Sequence, residues 1–244
     1  MSRLVVTLAL LASVLVACDR GTGSTDGSTG GSPVGGESSA GSGDTCDLDL
    51  GGEPLARTGP TVEPVVILDG SQGPRVEALV YPHPDHPGNP WSQWGQGLVL
   101  EDGRFLSAVG DHLGADGNAY LYEYSPDSGE LTQLTDILSL TEHDPGAWGY
   151  GKVHAQMVPG PCGEVYVGTY WGDRTGLTFG PTYQGDRLFR IDPQGDAIAD
   201  LGVPVPEHGL PSLAGWAAGG LLYGEAPDPA FEQDQGPFFV YDVA

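Results

Sequence analysis

Gly97-Leu98-Val99-Leu100-Glu101-Asp102-Gly103-Arg104-Phe105-Leu106-Ser107-Ala108-Val109-Gly110 reads as a short strand, a glycine turn and a second strand. Two apolar runs of this length, parted by a polar Glu-Asp-Gly step, are too short for helices and carry the punctuation of a hairpin. The next strand follows at Tyr120-Leu121-Tyr122-Glu123-Tyr124, whose alternating tyrosines give it one aromatic face. Ser125-Pro126-Asp127-Ser128-Gly129 then supplies Pro and Gly where a hairpin loop needs a fixed and a positive φ.

The same order recurs downstream. Met157 to Gly168 reads as strand, Pro-Cys-Gly turn and strand, continuing through Asp186-Arg187-Leu188-Phe189-Arg190-Ile191-Asp192-Pro193-Gln194-Gly195. A third copy runs from Leu213 to Gly224 and carries Phe238-Phe239-Val240-Tyr241-Asp242. The turn glycines at 103, 163 and 220 set a period of 57 to 60 residues. A sustained 3.6-residue apolar period is absent, apart from a turn or two near Leu131 to Leu140. Repeats of about four short strands at this period predict an all-β domain of β-propeller-like blades over 46–244, with an irregular β-sandwich as the alternative. Val62 to Val80 supplies a partial copy. Three to four blades are few for a closed ring, so the expectation is an incomplete or unusually small propeller with an open edge.

The second copy, with its aromatic strand and Arg190-Ile191-Asp192-Pro193-Gln194-Gly195 hairpin, resembles the streptogramin-lyase-like and NHL-like propeller families. The resemblance covers roughly Trp91 to the C-terminus and speaks for fold more than function. In such a propeller His154 and His208, nine and twelve residues ahead of their turn glycines, would start innermost strands near the channel mouth. Trp91 and Trp94 hold the corresponding stretch of the first copy. These four residues are the candidate ligand-binding set, with Lys152 and Glu207 adjacent and the two histidines as catalytic candidates. The arrangement resembles that of streptogramin lyases and oligogalacturonate lyases in its channel-mouth histidines, but their motifs do not match here residue by residue. The competing reading has the same side chains filling the channel wall.

Outside the folded region, the first eighteen residues decide location. Arg3 precedes an apolar run from Leu4 to Val16, and Leu15-Val16-Ala17-Cys18 resembles the lipobox of bacterial lipoproteins. That layout predicts a signal peptide over 1–17 rather than a membrane-spanning helix, which needs about twenty apolar residues. The resemblance implies diacylglyceryl transfer to Cys18, cleavage before it and acylation, palmitate included, of the new N-terminus. The expected address is the cell envelope, facing away from the cytoplasm. Residues 18–45, nearly all Gly, Ser, Thr and Asp, bury too little to order and read as a tether spanning roughly 30 Å.

Charge limits the partners. Thirty-three acids against nine basic residues give a net charge of -24, which repels nucleic acid and anionic headgroups, so the lipid must do the anchoring. Because the acids are scattered, they read as a solubilising surface, with a cationic ligand as the alternative. The expected partners are the membrane, through Cys18, and a glycan or an envelope protein. Once Cys18 is set aside, Cys46 and Cys162 form the candidate disulfide. His83-Pro84-Asp85-His86, held by Pro82, Pro84 and Pro87 in an extended, exposed loop, is a weak metal-ligand group, as are the loop pairs Asp111-His112 and Glu142-His143-Asp144, and no metal or cofactor is predicted. Asp116-Gly117-Asn118 lacks calcium-loop spacing and reads as a type I′ hairpin turn. Phosphate-loop, Gly-x-Ser-x-Gly, His-Glu-x-x-His and Cys-x-x-Cys motifs are all missing, which argues against nucleotide enzymes, serine hydrolases and zinc proteases. The leading expectation is a recognition module without catalysis; the alternative is a polysaccharide or ester lyase.

Overall fold

A computed structural model describes residues 51–55, 65–69, 75–82, 86, 88, 93, 97–170, 182–216, 219–227 and 236–243. All belong to the unit Thr45–Ala244. The signal peptide, Cys18, the tether, Cys46, Trp91, Trp94 and His83 to Asp85 lie outside the described residues.

The described chain is all-β, with one 3-10 turn at Leu138–Leu140. No described helix is long and apolar enough to cross a membrane. In chain order the strands are β1 (Glu53–Pro54), β2 (Val65–Asp69), β3 (Arg75–Ala78), β4 (Leu98–Val99), β5 (Phe105–Gly110), β6 (Ala119–Ser125) and β7 (Glu130–Asp136). They continue with β8 (Lys152–Val153), β9 (Val158–Pro159), β10 (Val165–Tyr170), β11 (Leu188–Ile191), β12 (Ala197–Asp200), β13 (Ser212–Trp216), β14 (Leu221–Glu225) and β15 (Phe238–Asp242). They form a β2-β3 hairpin and three antiparallel meanders: β4-β5-β6-β7, then β8 and β9 on β10 followed by β11-β12, then β13-β14-β15. None of these sheets closes on itself among the described residues.

Period-two alternation explains how the meanders pack. On β5 and β6, Leu106, Ala108, Ala119 and Leu121 face Val153, Val165, Val167, Phe189, Ile191 and Ile198 of the second meander in one core. The opposite face of β5 and β6 carries Val109, Tyr120 and Tyr122, covered by Leu79 and Tyr81 beyond β3. The expected aromatic face of β6 is therefore buried. The second meander is apolar on both sides, since Tyr166, Leu188 and Val158 pack on Leu213 and Leu222 of the third. Its outer edge is also covered, because β1 pairs with β12. In the third meander β15 pairs with β14 alone among the described residues, and Phe238 and Val240 are 64% and 52% exposed.

The turn glycines occupy matching places. Gly103 lies between β4 and β5, Gly163 between β9 and β10, and Gly220 between β13 and β14, with φ of 87°, 86° and 61°. Left-handed φ at these positions strains any residue with a Cβ, which is why the period was visible. Gly129 closes the β6-β7 loop at φ 73°, with its N–H donating to the Ser125 carbonyl at 2.9 Å.

Three expectations change. Asp116-Gly117-Asn118 is not a two-residue hairpin turn; it ends a longer β5-β6 loop, residues 111–118, which bridges at Ala115 to Trp148 of a separate segment. The apolar stretch near Leu131 to Leu140 is strand β7 followed by the 3-10 turn, because Leu131 and Leu134 each pack into a core as part of a sheet. His86 is not held out in solvent. Its ring stacks on Tyr120 at 3.7 Å and its Nε2 bonds the Gln133 amide oxygen at 2.6 Å.

Candidate functional site

Each meander has a plain end and an elaborate end. At one end lie the tight turns 100–104, 126–129, 160–164 and 192–196; at the other the chain passes through 111–118, 137–151, 182–187 and 201–211. Binding groups gather on long loops carried by a rigid scaffold, so the elaborate end is where a site is built.

Backbone contacts hold these loops together. The His112 N–H donates to the Gly151 carbonyl, Asp116 to Ala147, Gly149 to Gly114 and Tyr150 to Gly117, at 2.6 to 2.9 Å. The Asp116 carboxylate accepts from the Gly146 N–H at 2.7 Å and pairs with His143 Nε2 at 2.9 Å. The His143 hydrogen bond, with that of Gly146, holds the Asp116 carboxyl below its usual range. Beneath them Asp111 is buried, accepting from the N–H groups of Leu113 and Asn118 at 2.9 Å each.

Burial pushes the Asp111 carboxyl up to about 6, and the two backbone donors only partly counter it. A carboxyl raised on folding contributes stability that is full below about 3.8 and lost as pH rises through about 6. By linkage the loss amounts to about 3 kcal/mol. Unfolding free energy is therefore expected to decline between about pH 4 and 6.5, and Asp111→Asn to flatten that stretch of the profile. An unchanged slope in the variant refutes the assignment. Asp102 and Asp116, lowered by Arg104 and His143, act in a different window, since their contributions are lost only as pH falls below about 4.

At this end a cleft of about 620 Å³ opens between the 140–150 segment and the second meander. Leu140, Ala147, Trp148 and Tyr150 form the apolar part of its wall; Glu142, His143, Asp144, Thr182, Gln184, Arg187 and Asp200 supply polar groups. Tyr183 packs edge-on behind Trp148 at 5.6 Å, and Thr182 Oγ1 accepts the Trp148 N–H at 2.8 Å. The Arg187 guanidinium meets Asp200 at 2.5 and 2.8 Å and bonds the Tyr150 hydroxyl. Burial works against its charge, but Asp200 and Tyr150 more than offset it. Tyr150 is itself raised by burial. Next to Arg187, Asp186 is fully buried and takes hydrogen bonds from Thr169 and Tyr183 at 2.8 and 2.9 Å, fixing the base of the loop.

Lys152 and His154 both lie against the Tyr170 ring, and His208 belongs to the 201–211 segment. Lys152 Nζ sits 5.2 Å from the Tyr170 ring centroid, and burial lowers its pKa. His154 follows β8, where the first strand of the meander is interrupted before β9. Its ring lies 5.3 Å from Tyr170 and its Nδ1 bonds the Pro211 carbonyl at 2.9 Å, tying the second meander to the start of the third. His208 Nδ1 bonds the nearby Pro206 carbonyl at 2.7 Å, while its Nε2 is enclosed and meets no hydrogen-bond partner among the described residues. Glu207 has a φ of 62° and belongs to the same turn. Trp91 and Trp94 are outside the described residues. No group of three or more His, Cys, Asp or Glu among those residues could hold a metal ion.

A second cavity, about 750 Å³, lies at the tight-turn end against Val99, Arg104, Pro159, Pro161, Cys162 and Pro193. Cys162 is disulfide-bonded. Its partner is outside the described residues, where the other two cysteines of the chain, Cys18 and Cys46, are found.

Sequence reasoning missed Trp148, Tyr150, Arg187 and Asp200 as neighbours. The run Trp148-Gly149-Tyr150-Gly151, two aromatics framed by glycines, was the available signal. No protein family and no curated protein matches this sequence.

Proposed function

We propose that this chain is a lipid-anchored extracytoplasmic recognition module, whose propeller-like β domain binds a hydrophilic ligand in the Trp148-Tyr150-Arg187 cleft. The observation that carries this reading is the gathering of the long loops around one polar cleft of about 620 Å³, within the size range of small-molecule sites. Its aromatic, carboxylate, amide and guanidinium lining suits a polyhydroxylated ligand such as a glycan, which offers both apolar C–H faces and hydroxyl groups. Matching glycine turns in three stacked meanders support the propeller-like arrangement.

The Leu15-Val16-Ala17-Cys18 stretch supports the anchor, and the Gly/Ser-rich tether gives the domain its reach. With Cys18 acylated, Cys46 is the partner left for Cys162. The lyase reading draws less support, because the enclosed His208 Nε2 is poorly disposed to exchange protons with a substrate.

The anchor and the recognition function are tested separately. Full-length protein made in a bacterial envelope is expected to partition into detergent and to carry acyl mass on an N-terminal Cys18. A non-reduced peptide map should join Cys46 to Cys162. Detergent partition unchanged in Cys18→Ala, or an unacylated mature chain, removes the anchor. For recognition, saccharides that bind the folded state should raise the unfolding temperature by mass action. A panel of neutral, acidic and amino-bearing oligosaccharides that leaves it unmoved removes the glycan reading.

A further inference from the structure

We infer that the ligand of this cleft is a cationic saccharide, one that carries a free amino group among its hydroxyls. The inference rests on the cleft being the recognition site. Within it, the Arg187 charge is spent on Asp200 at 2.5 and 2.8 Å, so the guanidinium is already matched before a ligand arrives. His143 faces Asp116 at 2.9 Å in the same way. The carboxylates of Glu142 and Asp144 remain, both on exposed residues of the lining, and among the described residues the cleft wall holds no basic residue beyond that Arg and that His. The described lining therefore presents excess negative charge on a molecule of net charge -24. An acidic sugar would meet repulsion, and a neutral one would leave both carboxylates without a charged partner.

Two observations turn this from a general acidity into a ligand class. The absence of a carboxylate or imidazole cluster able to hold a metal, among the described residues, favours an organic cation over a metal ion. The other cleft groups are hydroxyl and amide functions, Thr182, Gln184 and the Tyr150 hydroxyl, suited to hydroxyl-bearing carbon rather than to a bare amine. Trp148 and Tyr150 add the flat apolar wall on which a sugar ring can rest.

The test compares three probes on the full-length protein by calorimetry: a short glucosamine oligosaccharide, its N-acetylated counterpart and an alkyl diamine. Acetylation removes the charge while keeping the sugar, and the diamine keeps the charge without the sugar. The glucosamine oligomer is expected to bind tightest, and Glu142→Gln with Asp144→Asn to weaken it roughly tenfold, from two exposed ion pairs. This variant retains thirty-one of the thirty-three acids, so non-specific attraction to the surface survives in it. Equal affinity of wild type and variant assigns binding to that general field and overturns the inference. Equal affinity for the N-acetylated oligomer overturns the cationic class while leaving the glycan reading intact. Equal affinity for the diamine overturns the saccharide part. If none of the three binds the folded protein, the inference fails, and the wider saccharide panel then decides whether the glycan reading fails with it.

Discussion

Arg104→Ala is expected to lower the unfolding free energy by about 3 to 5 kcal/mol, the usual cost of stripping one partner from a buried ion pair. Arg104 lies between the Gly103 turn and β5, and its guanidinium spans two sheets. It donates to Asp102 at 2.7 Å, to Glu123 at 2.8 Å, and to the Pro193 and Gln194 carbonyls at 2.7 Å each. The Glu123 side chain is only 4% exposed, against 17% for Arg104, so alanine takes this cation away from a buried carboxylate. The two carbonyls of the β11-β12 turn lose their donors as well. Urea unfolding of Arg104→Ala beside Asp102→Ala separates the parts, since Asp102 is 54% exposed and its loss should cost far less than that of Arg104. Arg104→Met with Glu123→Leu should recover much of the loss, because an apolar pair does not strand a charge. An Arg104→Ala protein as stable as wild type would remove this contact as a tie between the first two meanders.

Gly149→Ala is the second large effect, and it falls on the site as well as on stability. A Cβ at Gly149 would lie 2.1 Å from the Gly117 carbonyl oxygen and 2.3 Å from its nitrogen. Both are backbone atoms of the loop to which Tyr150 is hydrogen-bonded at 2.6 Å. Neither can swing aside as a side chain would, so the two loops must separate. Overpacking of this kind costs roughly 1 to 3 kcal/mol or more. The added consequence is displacement of Trp148 and Tyr150 from the cleft wall, so ligand affinity should fall together with stability. Gly129→Ala is the control, since its φ is 73° and its would-be Cβ meets nothing within 4 Å. It should cost about 1 to 2 kcal/mol of backbone strain and leave the cleft unaffected. If Gly149→Ala and Gly129→Ala behave alike, close approach of the two loops is not what fixes Gly149.

The strands were legible because their signals are local. Alternation at Tyr120, Tyr122 and Tyr124 assigns one face of β6, and that face is buried on Tyr81 and Leu79. Glycines at 103, 163 and 220 mark a backbone conformation that needs no knowledge of the neighbours. The loops were not legible for the opposite reason. Asp116, Gly117 and Asn118 have turn propensity, yet the chain there is set by hydrogen bonds to residues about thirty positions away. His86 reads as solvent-exposed beside Pro84 and Pro87, yet its ring stacks on Tyr120, thirty-four residues along.

Sequence by itself determined the all-β class, the alternating faces, the turn glycines and the expectation of a signal peptide ending just before Cys18, each a property of a few consecutive residues. Tertiary structure alone decided that His154 braces Pro211, that His208 bonds its own turn, and that the cleft belongs to Trp148, Tyr150, Arg187 and Asp200. The physical reason is range. Backbone strain and period-two patterning act between neighbours in the chain, whereas a cleft is made by loops from separate sheets meeting at one end. Long-range backbone hydrogen bonds and the close approach of Gly149 to Gly117 bring those loops together.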